Sequence, residues 1–79
     1  DIELIAARFL TIMNENYPER IKERYKLEFS PESEEFERLE MLARKRGMLI
    51  SGGEPDTERA AVMLLDEYRA GKLGRITLD

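Results

Sequence analysis

The fold of this chain is decided by residues 46–77, RGMLISGGEPDTERAAVMLLDEYRAGKLGRIT. This stretch predicts the end of one helix, a glycine-rich turn over residues 51–53, and a second helix that has Asp56 as its N-cap. Gly71 is expected to end that helix, because glycine adopts the left-handed conformation at little cost. Apolar side chains recur between these two residues at steps of three and four, at Ala61, Leu64, Leu65 and Tyr68.

Two further helices are predicted before residue 27. The first occupies the N-terminus and ends near Asn16, since Pro18 lacks the backbone N–H that would continue it. Pro18 then suits the first turn of a short helix, PERIKERY, in which Ile21 and Tyr25 lie four residues apart on one face. The apolar stripe of the first helix consists of Ile2, Ile5, Phe9, Ile12 and Met13, with Ala6 beside it.

A third main helix is predicted within SPESEEFERLEMLARKRG, residues 30–47. Ser30 is expected as its N-cap with Pro31 as its first residue, Ser33 is a competing cap, and Gly47 is expected at its C-terminal end. The Met-Leu-Ile sequence that follows is expected to be an apolar connector packed onto the core, since a strand there has no obvious partner. The buried stripe of this helix is predicted to be Phe36, Leu39, Leu42 and Ala43.

Together these elements predict an all-α fold, a small bundle of three main helices plus one short helix. A chain of 79 residues forms one domain at most. Each apolar stripe is expected to enter the core, so a monomer is expected. The chain starts at Asp1 without an initiator methionine and moves directly into an amphipathic pattern, so residues 1–79 are expected to be a single domain of a longer protein.

The composition excludes most kinds of chemistry. The chain has neither cysteine nor histidine, which removes disulfides, thiolate zinc sites and the commonest general base. Residues 27–40 carry six glutamates, but without a histidine or a matching acidic pair this run is better explained as a solvated helix face. Gly71 and Lys72 lack the glycine spacing and the Ser or Thr of a phosphate-binding loop. We therefore expect no catalytic residue, no metal site and no cofactor in this chain.

The hydropathy predicts a protein that does not contact membranes. Charged residues make up 38% of the chain, the mean hydropathy is −0.53, and no apolar run approaches the length of a membrane span. No signal peptide is visible either, and a cytoplasmic location is expected.

The net charge of −4 hides a segregation of charge along the chain. Basic residues gather at the ends of three predicted helices. If these ends converge, they form a patch that can bind phosphate groups. The alternative is scattered solubilising charge that complements the helix dipoles. The residues concerned are Lys22, Arg24 and Lys26, then Arg44, Lys45 and Arg46, and finally Lys72 and Arg75.

Four segments stand in a recognisable order: YPERIKERYKL (residues 17–27), ARKRG (43–47), SGGEPDTERAA (51–61) and RAGKLGR (69–75). In this order and spacing they resemble the C-terminal domain of the YlqF/RbgA family (ribosome biogenesis GTPase A) of circularly permuted ribosome-assembly GTPases. The resemblance covers nearly the whole chain. None of the family's nucleotide-binding motifs is present, so GTP binding is not carried over to any residue here.

The resemblance implies an ANTAR-like helical domain that follows a GTPase domain, with GTP and Mg bound in that absent domain. It also implies a role in assembly of the large ribosomal subunit, through electrostatic contacts with the phosphates of ribosomal RNA. The candidate RNA-binding residues are Arg44, Lys45, Arg46, Lys72, Arg75 and Lys26. An alternative of another class is a protein-interaction or regulatory domain, which packs on its own GTPase domain or on a ribosomal protein.

Overall fold

The structure is a computed structural model that describes residues 1–77. Its helices are α1 (Ile2–Asn16), α2 (Pro18–Tyr25), α3 (Glu35–Lys45) and α4 (Thr57–Arg69). The predicted all-α bundle of three main helices and one short helix is confirmed. Within the described range, no helix is long and apolar enough to cross a membrane.

Helix α1 lies at the centre of the bundle. It packs against α2, α3 and α4, and α3 also packs against α4. A contiguous cluster of buried side chains fills the space between the helices, and burial of such a cluster stabilises the fold by roughly 25 cal/mol per Å² of apolar area. Its largest fully buried members are Leu10, Met13, Ile21, Leu39, Leu42 and Leu64.

The buried face of α1 differs from the predicted stripe. Ile2 is 39% exposed and Ile5 is 61% exposed, whereas Ala6 and Leu10 are fully buried. Residues 4–7 are all apolar, so steps of three and four fit two overlapping faces of this helix. The small side chain of Ala6 lets neighbouring helices approach its face closely. The prediction that every apolar stripe enters the core is therefore wrong for the first turn of α1.

Helix α3 begins later than predicted. Ser30 and Ser33 close a turn, in which the Ser33 amide donates to the Ser30 carbonyl over 3.0 Å. The N-cap is Glu34 instead, and the Glu37 carboxylate accepts a hydrogen bond from the Glu34 amide over 3.2 Å. This capping box satisfies the helix donors for which a serine cap was expected. The predicted cap at Ser30 or Ser33, with Pro31 as the first helical residue, is wrong.

The buried face of α3 also departs from the prediction at one position. Phe36 is 37% exposed, and Arg38, only 8% exposed, lies on the buried face instead. A buried guanidinium is tolerated when its N–H groups are bonded. That of Arg38 donates to Ser33 Oγ over 2.8 Å and to Thr11 Oγ1 over 3.3 Å. The rest of the predicted stripe is confirmed, since Leu39, Leu42 and Ala43 are fully buried.

The predicted glycine at the end of α3 is confirmed. Gly47 has a φ of +69°, and its amide donates to the Arg44 carbonyl over 3.0 Å. The Met48 amide donates to the Ala43 carbonyl over 2.8 Å. These two bonds define a Schellman motif, in which a left-handed residue lets the chain satisfy the last helix carbonyls.

The connection from α3 to α4 is a small hairpin. Leu49 pairs with Pro55 in an isolated antiparallel bridge, so the prediction that this segment has no pairing partner is wrong. Only Met48 packs against the core, whereas Leu49 and Ile50 are about half exposed. The predicted turn at residues 51–53 is confirmed, since the Gly53 amide donates to the Ile50 carbonyl over 3.0 Å and closes the tip of this hairpin.

The ends of α4 agree with the sequence prediction. The Asp56 side chain accepts a hydrogen bond from the Arg59 amide over 3.1 Å, as an N-cap does. Gly71 has a φ of +77°, and Leu73, two residues later, is buried against the core. On the predicted apolar face, Ala61 and Leu64 are fully buried and Leu65 and Tyr68 are partly buried.

Candidate nucleic-acid interface

The C-terminal ends of α2, α3 and α4 meet at one carboxylate, that of Glu67. Arg24 donates to both of its oxygens over 3.1 Å each, and the Tyr25 hydroxyl donates to Oε1 over 2.8 Å. Arg46 approaches the same carboxylate to 3.5 Å, and its guanidinium lies 5.0 Å from the centre of the Tyr25 ring. The basic ends of α2 and α3, which the sequence left either converging or scattered, therefore converge at Arg24 and Arg46.

Glu67 stays ionised because its bonding partners lower the pKa of the carboxyl by more than burial raises it. Its side chain is 12% exposed, and burial on its own would raise the pKa of the carboxyl. The hydrogen bonds from Arg24 and Tyr25 and the charge of Arg46 act in the opposite direction, and they hold that pKa below its ordinary value of 4.5. Burial, together with the bond to Glu67, raises the pKa of Tyr25, so its hydroxyl remains a hydrogen-bond donor at neutral pH.

The lowered pKa of Glu67 predicts an acid-sensitive contribution to stability. A carboxyl whose pKa is lower in the folded state stabilises the fold fully above its unfolded pKa, and this contribution is lost as the pH falls through the folded pKa. We expect Glu67→Gln to reduce the free energy of unfolding by a constant amount near neutral pH and by less below about pH 4.5. Urea unfolding at a series of pH values measures this. A difference that persists unchanged into acid would contradict it.

The three basic residues at the end of α3 have different surroundings. Arg46 is one-third exposed and is engaged by Glu67. Arg44 lies towards the hairpin, where it donates to the Gly53 carbonyl over 3.4 Å. Lys45 is exposed, and no ion pair is recorded for it within residues 1–77. Of this set, Lys45 therefore has the charge that is most available to a ligand.

A surface groove of about 350 Å³ lies between α2 and the loop that follows α4. Its lining residues are Arg20, Glu23, Arg24, Lys72, Leu73 and Gly74, and we call it the α2 groove. The groove places the predicted contact Lys72 beside two arginines of α2. Arg20 was not among the predicted contacts, although its spacing of four from Arg24 puts both on one face of the short helix.

The remaining candidates lie next to these features. Arg75 is exposed, and its carbonyl accepts a hydrogen bond from Arg20 Nη1 over 3.0 Å, which places it just beyond the α2 groove. Lys26 is exposed and forms the left-handed C-cap of α2, with a φ of +58°, directly after Tyr25. Both residues thus belong to the same end of the bundle as Glu67. Their role in binding stays a prediction, as does that of the other four candidates.

The fold and the site together define a small all-α domain whose cations gather around a largely buried carboxylate. Within residues 1–77, no group of three acidic, histidine or cysteine side chains is placed to hold a metal ion. What the described site offers a ligand is the positive charge of exposed side chains at these helix ends.

Several known proteins are similar in sequence to this chain. Over all 79 residues the chain is 39% identical to Ribosome biogenesis GTPase A of Bacillus cereus and 38% identical to that of Priestia megaterium. It spans only 25% and 26% of the length of these two proteins. It is also 39% identical, over 78% of its length, to 10% of Nucleolar GTP-binding protein 2 of Neurospora crassa. No family model and no solved structure matches it.

The chain belongs to the Ribosome biogenesis GTPase A family, and it aligns with the C-terminal part of the members named above. The resemblance that the four segments carry is therefore confirmed.

Proposed function

We propose that this chain is the rRNA-binding accessory domain of a GTPase that acts in assembly of the large ribosomal subunit. Its membership of the family supports the link to ribosome assembly. The observation that carries the RNA-binding role is the convergence of the basic ends of α2 and α3 at Glu67 of α4. GTP and Mg belong, on this proposal, to a GTPase domain outside the chain.

The binding mode is electrostatic contact with phosphates. Exposed lysines and arginines on a rigid surface set the position and orientation of a nucleic acid but do not read its bases. Each phosphate that a cation neutralises releases counterions, so affinity falls with salt concentration. A net charge of −4 for the whole chain adds repulsion at other faces, and it favours weak binding that orients a larger protein.

A matched pair of double variants tests this proposal. Lys45→Gln with Lys72→Gln removes two exposed charges from the basic end, and Arg8→Gln with Arg59→Gln removes two from elsewhere on the bundle. We expect the first pair to weaken binding to in vitro transcribed large-subunit rRNA and to reduce the slope of log K against log salt by about 1.5. The control pair should leave the slope near that of the wild type. Arg46 is left unchanged, because it pairs with Glu67 and its loss would change the stability of the fold as well as its charge.

Binding of the wild type is measured by filter retention over a range of salt concentrations. No binding to rRNA even at low salt would overturn the proposal. Equal effects of the two double variants would overturn the assignment of the contact to the basic end.

One observation favours the alternative, a protein-interaction or regulatory domain. Ile2, Leu4 and Ile5 leave apolar surface exposed on the first turn of α1, with exposed fractions of 39%, 61% and 61%. Such side chains suit docking onto another protein surface, such as the GTPase domain of the same protein or a ribosomal protein. Loss of that docking in the variant Leu4→Ser with Ile5→Ser, with no rRNA binding by the wild type, would favour this alternative.

A further inference from the structure

The α2 groove combines fixed arginines, an exposed lysine and a glycine loop. We propose that it is a seat for a single backbone phosphate of the bound RNA, in which Arg20, Arg24 and Lys72 supply the N–H donors and Gly74 shapes the wall. This inference rests on the proposed function, and it adds Arg20, Arg24 and Gly74 to the binding surface.

Arg20 is held in place by the backbone of the loop after α4. Its Nη1 donates to the Leu73 carbonyl over 2.7 Å and to the Arg75 carbonyl over 3.0 Å, and its guanidinium lies 5.4 Å from the centre of the Tyr17 ring. No hydrogen bond from its Nε or Nη2 is recorded within residues 1–77. The bonds from Nη1 thus hold the planar guanidinium in place, and the N–H groups of Nε and Nη2 remain to bind an anion.

Arg24 is fixed in a similar way by a different partner. Its Nε and Nη2 both donate to the Glu67 carboxylate, and no bond from Nη1 is recorded in the described part of the chain. Lys72 follows α4 on the other side of the groove and is exposed. An anion in the groove therefore meets two orientated guanidinium groups and an exposed ammonium, which together suit a phosphate.

Gly74 is required by the position of the Arg20 side chain. A Cβ atom at residue 74 would lie 2.2 Å from Arg20 Nη1, and the backbone there has a φ of +82°. Any other residue would displace the guanidinium or the loop and would also strain the backbone. Gly74 is therefore a positioning residue, which acts on the groove through Arg20.

The charge of the groove favours an anion with moderate strength. Three lining cations, Arg20, Arg24 and Lys72, stand against one lining carboxylate, Glu23, which gives a net charge of +2 for the lining. The Glu67 carboxylate offsets part of the Arg24 charge. Glu23 repels a phosphate and lowers the affinity of the seat, so its removal should strengthen binding.

The test compares single variants of the chain for binding to in vitro transcribed large-subunit rRNA. Arg20→Lys keeps the positive charge but removes the guanidinium, which can bond to two carbonyls and to a phosphate at the same time. We therefore expect about fivefold weaker binding. Lys72→Gln should also weaken binding about fivefold, and Glu23→Gln should strengthen it about threefold. Arg59→Lys and Arg59→Gln are the matched controls, because Arg59 is exposed in the first turn of α4.

The outcomes separate this inference from the proposed function. Equal rRNA affinity for the wild type and Arg20→Lys, with Lys72→Gln no weaker than Arg59→Gln, would overturn the seat and leave the proposed function standing. Absence of rRNA binding by the wild type would overturn both. Circular dichroism checks that each variant is folded. If Arg20→Lys does not fold, the comparison of Lys72→Gln with Arg59→Gln still decides the test.

Discussion

Replacing Leu42 by alanine is expected to lower the free energy of unfolding by about 3 kcal/mol. Leu42 is fully buried in the cluster that joins α1, α3 and α4, so its truncation removes apolar contacts and leaves a cavity. The total stability of small domains is only roughly 0.05–0.15 kcal/mol per residue. The variant should therefore lose a large part of its stability, which urea unfolding measures directly.

Ile5→Ala is the matched control for this prediction. It also truncates an aliphatic side chain on a main helix, but Ile5 is 61% exposed. Its cost should stay within about 0.5 kcal/mol, as is usual for surface positions. Similar losses for the two variants would contradict the packing of α1 and would favour the stripe that the sequence pattern predicts.

Replacing Glu67 by alanine is expected to lower the free energy of unfolding by about 2 kcal/mol. The substitution leaves the buried Tyr25 hydroxyl without its acceptor and removes the common partner of Arg24 and Arg46. Both arginine side chains are about one-third exposed, so water solvates part of their charge and the cost stays below that of a fully buried pair.

Asp66→Ala, one residue earlier on α4, provides the comparison. Asp66 pairs with Arg69 over 3.2 Å, but both side chains are about two-thirds exposed. Exposed pairs contribute roughly 0–1 kcal/mol, so this variant should unfold nearly as the wild type does. A small effect of Glu67→Ala, no larger than that of Asp66→Ala, would show that the three helix ends are not held together by this carboxylate.

The parts of the fold that local chemistry determines could be predicted from the sequence. Pro18 separates α1 from α2, Asp56 caps α4, and Gly47 and Gly71 end α3 and α4 as expected. Each of these signals acts within a few residues, through a missing N–H group, a side-chain acceptor or a left-handed backbone. The start of α3 was predicted wrongly because its cap is Glu34, which forms a capping box with Glu37, whereas a serine was expected as the cap.

The choice between faces of a helix could not be predicted in the same way. In α1, Ile5 and Ala6 are adjacent and both apolar, and the neighbouring helices decide which of them is buried. In α3, the buried position of Arg38 depends on Thr11, which is 27 residues away in the chain. Hydrophobic periodicity indicates that a helix has an apolar face, but contacts with the other helices determine which face is buried.

The candidate site could likewise be predicted from the sequence only in part. Basic residues at helix ends were visible in the sequence, and the structure brings Arg24 and Arg46 together. The bond of Arg24 to Glu67 and the bond of Arg20 to the loop after α4 join residues that are 43 and 53 positions apart in the chain. No local pattern marks such pairs, so only the folded chain reveals them.

The end of the bundle around Glu67 is the proposed contact surface for rRNA. Amide NMR spectra of the chain, recorded with increasing amounts of a large-subunit rRNA fragment, test it most directly. We expect the signals of Lys45, Lys72 and Gly74 to shift or lose intensity first, while those of Leu4 and Ile5 stay unchanged. Changes confined to Leu4 and Ile5, or an unchanged spectrum at low salt, would contradict the claim.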